Sequence, residues 1–429
     1  MHLTNPSSQA IQAPPPQRRK ASHRWLHEAS ISGQKANVES ISRVRPLDRA
    51  VIPQVGSSYM ISSAHIENFR CYKSLDLKDL GLINVIVGEC GSGKTALLEA
   101  LFLPGCNHNA LIGYLMNRGF QIPQIPRWSN VDFESIYLPL FHQFDSENHP
   151  HVSLKGSAAN QRSITLNFDR AAVLQLPIGE AGKSNDAPLS STTLGVARPL
   201  LIKSIGSSGK PSEIKISFDT GTQKLEVTGE PSPTAHIALF HAGAFTTAQE
   251  SAQQFSDLNK KKSSPSFAVR FSKIINKVFP LIDNISVESA MGGSFILHCS
   301  CKGVDDKIPL NFVSSGINKL TAILLGIVAG AGGVVLIDEI ENGFYYKSLP
   351  KMWETIMAFA SEYETQVFAS THSKECLDAF LPVVSRNEKH CRLLRSEIEK
   401  GGSHGVRVFS GKVFEAVLET GEVDARSGE

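Results

Sequence analysis

Cysteine is scarce in this chain: seven in 429 residues, at positions 71, 90, 106, 299, 301, 376 and 391, odd in number and without a CxxC pair. A disulfide scaffold is excluded, and free thiols in a cytoplasmic setting are expected. A charge excess is also missing, since 43 Lys and Arg face 41 Asp and Glu, so net charge does not mark a polyanion-binding surface, and binding to one would need a groove assembled from modest patches. No apolar run is long enough to span a bilayer. The strongest, 320–337, is split by Gly330, Gly332 and Gly333 and ends in Asp338 and Glu339, so no membrane association is expected. Internal repeats and sustained heptads are absent, which excludes a solenoid and a long coiled-coil arm.

What remains is a chain of ordinary globular composition, 41% hydrophobic, long enough for two or three domains. Residues 1–59 stand apart: Pro14-Pro15-Pro16, the basic run Arg18-Arg19-Lys20, and eight Lys or Arg against three Asp or Glu. They read as a disordered basic extension, with Met60 as the natural start; a nucleic-acid arm or a transit peptide is the alternative. From residue 60 the pattern predicts an α/β fold with a mixed, mostly parallel sheet covered by helices. Its first half is 60–155, a β-rich and partly helical antiparallel insertion follows at 156–267, and the second half is 268–429. Strands are expected at 63–69, 74–77, 83–87, 163–168, 213–218, 224–227, 285–288, 295–299, 334–337 and 366–370. Helices are expected at 95–102, 111–120, 268–279, 319–328, 350–363 and 374–380.

Between a predicted strand and a predicted helix lies Gly88-Glu89-Cys90-Gly91-Ser92-Gly93-Lys94-Thr95, which satisfies G-x-x-x-x-G-K-[ST]. Glycines let successive N–H groups turn toward one anion, the helix start adds its positive end, and Lys94 supplies a charge for the β and γ phosphates. Thr95 is expected to bind Mg²⁺ through its hydroxyl. The run Val334-Val335-Leu336-Ile337 ends in Asp338 and Glu339, placing two carboxylates at the carboxyl end of a buried strand, where open parallel sheets bind ligands. Asp338 suits magnesium, and Glu339 suits polarising the attacking water. A third apolar strand ends in Ser370-Thr371-His372, so His372 is expected on the same edge as a γ-phosphate sensor. Cys299 and Cys301, two apart on one predicted strand, do not read as a metal pair.

In this order and spacing, these motifs resemble the ATP-binding cassette superfamily. Within it they resemble the AAA-type single-chain ATPases akin to SMC proteins and to the OLD (overcoming lysogenization defect) family. The resemblance covers roughly 61–155 and 268–411. Its further segments are Ile66-Glu67-Asn68-Phe69-Arg70, Val313-Ser314-Ser315-Gly316-Ile317-Asn318-Lys319-Leu320 and the turn at Asn342-Gly343. It implies that Ser314, Ser315 and Gly316 form a signature motif completing the nucleotide site of a second subunit, hence a homodimer. Ser315 and Ile317 depart from the usual Leu-Ser-Gly-Gly-Gln. Gln143 falls where relatives keep a metal-contacting Gln, or else is a strand residue facing solvent. Arg70 either reaches the phosphates or lies on the surface. The 57 residues after His372 are too few for a Toprim nuclease domain, and a zinc hook is absent.

The sequence therefore predicts a Mg-dependent ATPase that dimerises around nucleotide and drives a conformational switch in DNA-related or anti-phage processes. The competing expectation is a nucleotide-gated recruitment module with slow turnover, controlling a separate effector protein. A kinase or GTPase is disfavoured by the lack of an Asn-Lys-x-Asp segment.

Overall fold

The computed structural model describes residues 61–105, 111, 130–156, 161–169, 198–206, 208–219, 224–230, 237–240, 248–261, 263, 265–290 and 293–420. The expected disordered extension at 1–59 lies outside these residues, as does the expected helix at 111–120 apart from Leu111.

The chain opens with a hairpin, β1 (Ser63–Phe69) and β2 (Tyr72–Leu77), whose alternating burial marks a sheet with one face in the core. β3 (Ile83–Val87) is buried at every position and leads into α1 (Lys94–Phe102). After α2 (Asn130–Tyr137) come five antiparallel strands, β4 (His151–Lys155), β5 (Arg162–Phe168), β6 (Leu200–Ile205), β7 (Pro211–Asp219) and β8 (Lys224–Gly229). They pair onto β1, giving one seven-stranded antiparallel sheet in the order β2-β1-β4-β5-β6-β7-β8. The strands that the sequence sets out as an insertion thus continue the sheet of the opening hairpin.

The second sheet gathers strands from distant parts of the chain. β9 (Ile237–Phe240) precedes two helices, α3 (Ala248–Asn259) and α4 (Phe267–Val278), the latter capped by Ser266, whose side chain accepts from the Val269 N–H. A small antiparallel sheet follows, made of β10 (Ile282–Ser289), β11 (Phe295–Cys301) and β12 (Ile308–Pro309). Then come α5 (Ser315–Ala329), β13 (Val334–Ile337), α6 (Leu349–Glu362), β14 (Gln366–Ser370), α7 (Lys374–Arg386), β15 (Cys391–Ile398), β16 (His404–Ser410) and α8 (Gly411–Thr420). The six-stranded sheet runs β16-β15-β3-β14-β13-β9, parallel except for the β15-β16 pair.

Alternation across this sheet explains its unbroken apolar strands. Val85, Val87, Val335, Ile337, Val367 and Ala369 face a core shared with the helices from α3 onward. Ile86, Val334, Leu336, Phe368 and Leu394 face a second core, shared with α1 and the antiparallel sheet. Both faces are covered, so the strands are mostly apolar, and buried polar side chains on them such as Asn84, Gln366 and Ser370 are hydrogen-bonded. α1 lies within that second core, and seven of its nine residues are buried, Lys94 to Leu101 with the exception of Thr95. One buried amide fastens the two ends of the fold: Gln366 donates to the carbonyls of Ile61 and Gly81 at 2.8 and 2.7 Å and accepts from the Ile61 N–H at 2.9 Å. Among the described residues, no helix is long and apolar enough to cross a membrane.

Candidate active site

The loop after β3 is shaped by what surrounds it. Gly88 has φ +146°, and a Cβ there would stand 2.1 Å from the Ser396 carbonyl oxygen, so only glycine fits. The β15-β16 hairpin and β2 hold the loop from outside. The Ser396 hydroxyl donates to the Ser92 carbonyl at 2.7 Å, the Tyr72 hydroxyl donates to the Gly93 carbonyl at 3.1 Å, and His404 Nε2 lies 3.2 Å from the Gly91 carbonyl. Inside, Lys94 Nζ donates to the carbonyls of Gly88 and Glu89 at 2.8 and 2.7 Å. Gly93 caps α1 without a side-chain bond, so the first-turn N–H groups of α1 are not taken by a cap.

The parallel pairing of Ile337 with Ala369 sets Asp338 beside Ser370. Both Asp338 oxygens accept hydroxyl donors, Oδ2 from Thr95 at 2.9 Å and Oδ1 from Ser370 at 2.5 Å. The Ser370 hydroxyl in turn accepts from the Glu339 N–H at 2.8 Å. Glu339 sits at φ +48°, a left-handed backbone costing a non-glycine residue about 1–2 kcal/mol, and is held there by its neighbours. Asn342 Nδ2 donates to its carboxylate, and Lys319 Nζ donates to its carbonyl. The His372 N–H donates to Glu341 Oε1 at 2.8 Å.

These pieces converge on a cavity of about 640 Å³. Cys90, Gly91, Gly93, Lys94, Thr95, Glu339 and His372 line it, together with Arg70, Gln143, His142, Phe144 and His404. Asp338, hydrogen-bonded to Thr95, and Gly88, Glu89 and Ser92 do not themselves line the cavity. Gln143 is in a turn at φ +56° rather than in a strand, and it reaches the cavity. Arg70 lines the cavity while its guanidinium pairs with buried Glu99. Ser314, Ser315 and Gly316 do not line the cavity of their own chain; they cap and begin α5, which starts four residues earlier than the sequence pattern suggests.

Residues 60–168 and 212–377 match the AAA ATPase domain family. This chain belongs to that family. It is an ATPase with the P-loop fold, and binding and hydrolysing ATP is its activity. It is 20% identical over 352 residues to an "ATP/GTP phosphatase" of Helicobacter pylori, covering 77% of this chain and 90% of the relative. Over 111 residues it is 31% identical to the "DNA replication and repair protein RecF" of Shewanella piezotolerans, covering 26% of this chain and 28% of that one. Among solved structures, an Smc head bound to the C-winged helix domain of ScpA covers 82% of this chain and 98% of its own, with 15% identity and a TM-score of 0.44.

Burial dominates the electrostatics of the ATPase site. It pulls the Lys94 ammonium below the ordinary lysine value, against the opposing pull of Cys90, Asp338, Glu339 and Glu341. Lys319 is lowered further, to about 8, because it is wholly buried, again against Glu341, Glu339 and Asp338. The Cys71 thiol at the cavity wall is pushed up to about 11 by burial, which disqualifies it as a nucleophile. Sequence reasoning did not assign Ser370, Lys319, Tyr72, Ser396 or His404. A serine ending an apolar strand three residues before a second serine was the only local signal for Ser370. Tyr72, Ser396 and His404 meet the loop only through tertiary pairing.

Proposed function

We propose that the ATPase takes Mg-ATP into this cavity, and that two subunits close around two nucleotides and reopen after hydrolysis. One observation carries the reading: the Thr95 hydroxyl and the Asp338 carboxylate, 243 positions apart, meet at 2.9 Å, with Glu339 next in the chain on the wall of the same cavity. Lys94 and the N–H groups of the loop hold the β and γ phosphates. Glu339 accepts the proton of the attacking water, and His372 contacts the γ phosphate from the same end of the neighbouring parallel strand.

Thr95 and Asp338 would hold the magnesium ion, with Gln143 contributing a third oxygen. The donor set fits: a hydroxyl and a carboxylate are hard oxygens, and one carboxylate is the usual protein share when phosphates and water supply the rest. Among the described residues, no group of three or more His, Cys, Asp or Glu could hold a metal by itself, in keeping with a metal that arrives with its nucleotide. When bound, the ion neutralises charge on the phosphate oxygens.

The position of Ser314–Gly316 outside their own cavity supports their use by a second subunit. Phe312, two residues before Ser314, and Tyr345 and Tyr346, which follow the Gly343 that Gly316 meets, are exposed at 83, 60 and 55% and offer an apolar surface for that approach. The similarity to a DNA replication and repair protein favours a DNA-coupled output over control of a separate effector. Turnover measured with and without duplex DNA tests this: salt-sensitive stimulation supports the DNA-coupled reading, and an unchanged rate supports the effector reading. For the chemistry, Lys94→Ala should abolish ATP binding, whereas Glu339→Gln should bind ATP, stop turnover and accumulate dimers in size-exclusion chromatography. Hydrolysis at the parent rate by Glu339→Gln removes the base assignment.

A further inference from the structure

We infer that Lys319 is a positioning residue for Glu339, the strut by which the helix that starts at Ser315 sets the geometry of the base. The inference deepens the function proposed above and rests on Glu339 as the base. Lys319 is 0% exposed on α5, next to Leu320, Ile323, Leu324 and Ile327, all equally buried. An apolar residue would fill this place at lower cost, since a buried ammonium forfeits its hydration, so packing alone gives no reason for a lysine. Its Nζ donates to the Glu339 carbonyl, and the carboxylates of Glu341 and Asp338 lie close enough to favour its charge.

The contact falls where direction matters. Glu339 holds a left-handed backbone, and a tether on its carbonyl fixes the peptide that follows and hence the direction of its side chain. The same helix start meets the same turn a second time. A Cβ on Gly316 would stand 2.4 Å from the Gly343 carbonyl oxygen, so the two backbones are in direct contact. Ser315 and Lys319 are four residues apart on a helix, hence on one face. The start of α5 and the turn 338–343 are therefore joined at two points and shift together. A phosphate that draws on Ser314 or Ser315 moves Lys319 with them, and Lys319 moves the base.

Lys319→Met tests this by separating binding from turnover. Expected are unchanged affinity for a fluorescent ATP analogue, an undiminished melting temperature, and a kcat lowered about 10- to 100-fold, the scale of a misplaced catalytic group. In a Glu339→Gln background, single-turnover hydrolysis should fall no further on adding Lys319→Met, because both changes act on one group. A parent-like kcat in Lys319→Met, or an additional equal fall in the double variant, overturns the inference. Should the Met variant fail to fold, Lys319→Gln is read by the same criteria. Parent-rate hydrolysis by Glu339→Gln sinks the base assignment together with the inference. An inactive Glu339→Gln beside a fully active Lys319→Met sinks the inference alone.

Discussion

At the scale of single residues, hydroxyl groups organise the site. Ser370 donates to Asp338 and accepts from the Glu339 N–H, so one oxygen fixes both acids. Ser370→Ala leaves a buried carboxylate oxygen and an N–H without that partner. The expected result is a loss of about 1–3 kcal/mol in stability, measured by urea unfolding, with kcat falling more than ATP affinity. Lys319 gives a pH prediction with a definite sign. Its folded pKa of about 8 lies below the ordinary 10.5, so between these values the unfolded chain holds a proton that the folded chain has shed. Stability then rises with pH across this window, while below pH 8 the folded state bears the full cost of the buried charge, about 3 kcal/mol. Lys319→Met should therefore unfold at higher urea than the parent at pH 7, and the gap should close as pH approaches 10.5.

At the scale of elements, contact between backbones is the constraint. Gly343 has φ +87°, and a Cβ there would stand 2.7 Å from Ser315 Oγ and 3.1 Å from the Gly316 nitrogen. Gly343→Ala adds strain to that crowding, so the expected outcome is a lowered melting temperature and slower turnover with ATP affinity retained. The elements around the site were largely legible in the sequence. β3, β13 and β14 are short apolar runs because both sheet faces are covered, and each announces its functional end by switching abruptly to polar residues. β15 was not legible: Arg392 and Arg395 interrupt its apolar run, yet Arg392 is buried against Asp79 through bonds of 2.8 to 3.0 Å that only the folded chain supplies. The start of α5 was set four residues late, at Lys319, because Ser314, Ser315 and Gly316 weaken local helical spacing. That reading hid the inward-facing ammonium, since a lysine opening a helix is ordinarily solvated.

At the scale of the molecule, two cores share one sheet. The helical core is the larger, and Trp353 is its largest fully buried side chain, packed on Phe380 at 4.4 Å with its Nε1–H on the Cys376 carbonyl at 3.1 Å. Trp353→Ala should cost about 3–5 kcal/mol and abolish turnover through unfolding, with thermal denaturation as the check. Its effect should differ in kind from Lys94→Ala, which should lose nucleotide while keeping its melting temperature. The two classes of variant separate damage to the scaffold from damage to the site.

The strand that feeds the phosphate loop has as its two neighbours β14 and β15, which lie some three hundred positions further along the chain. During synthesis, that strand has both hydrogen-bonding edges bare until residues 366–398 emerge. A fragment ending before residue 366 has no ladder for it to join, however intact its glycine loop. Competence to hold nucleotide is thus acquired late and all at once, when β14 and β15 close both edges of that strand.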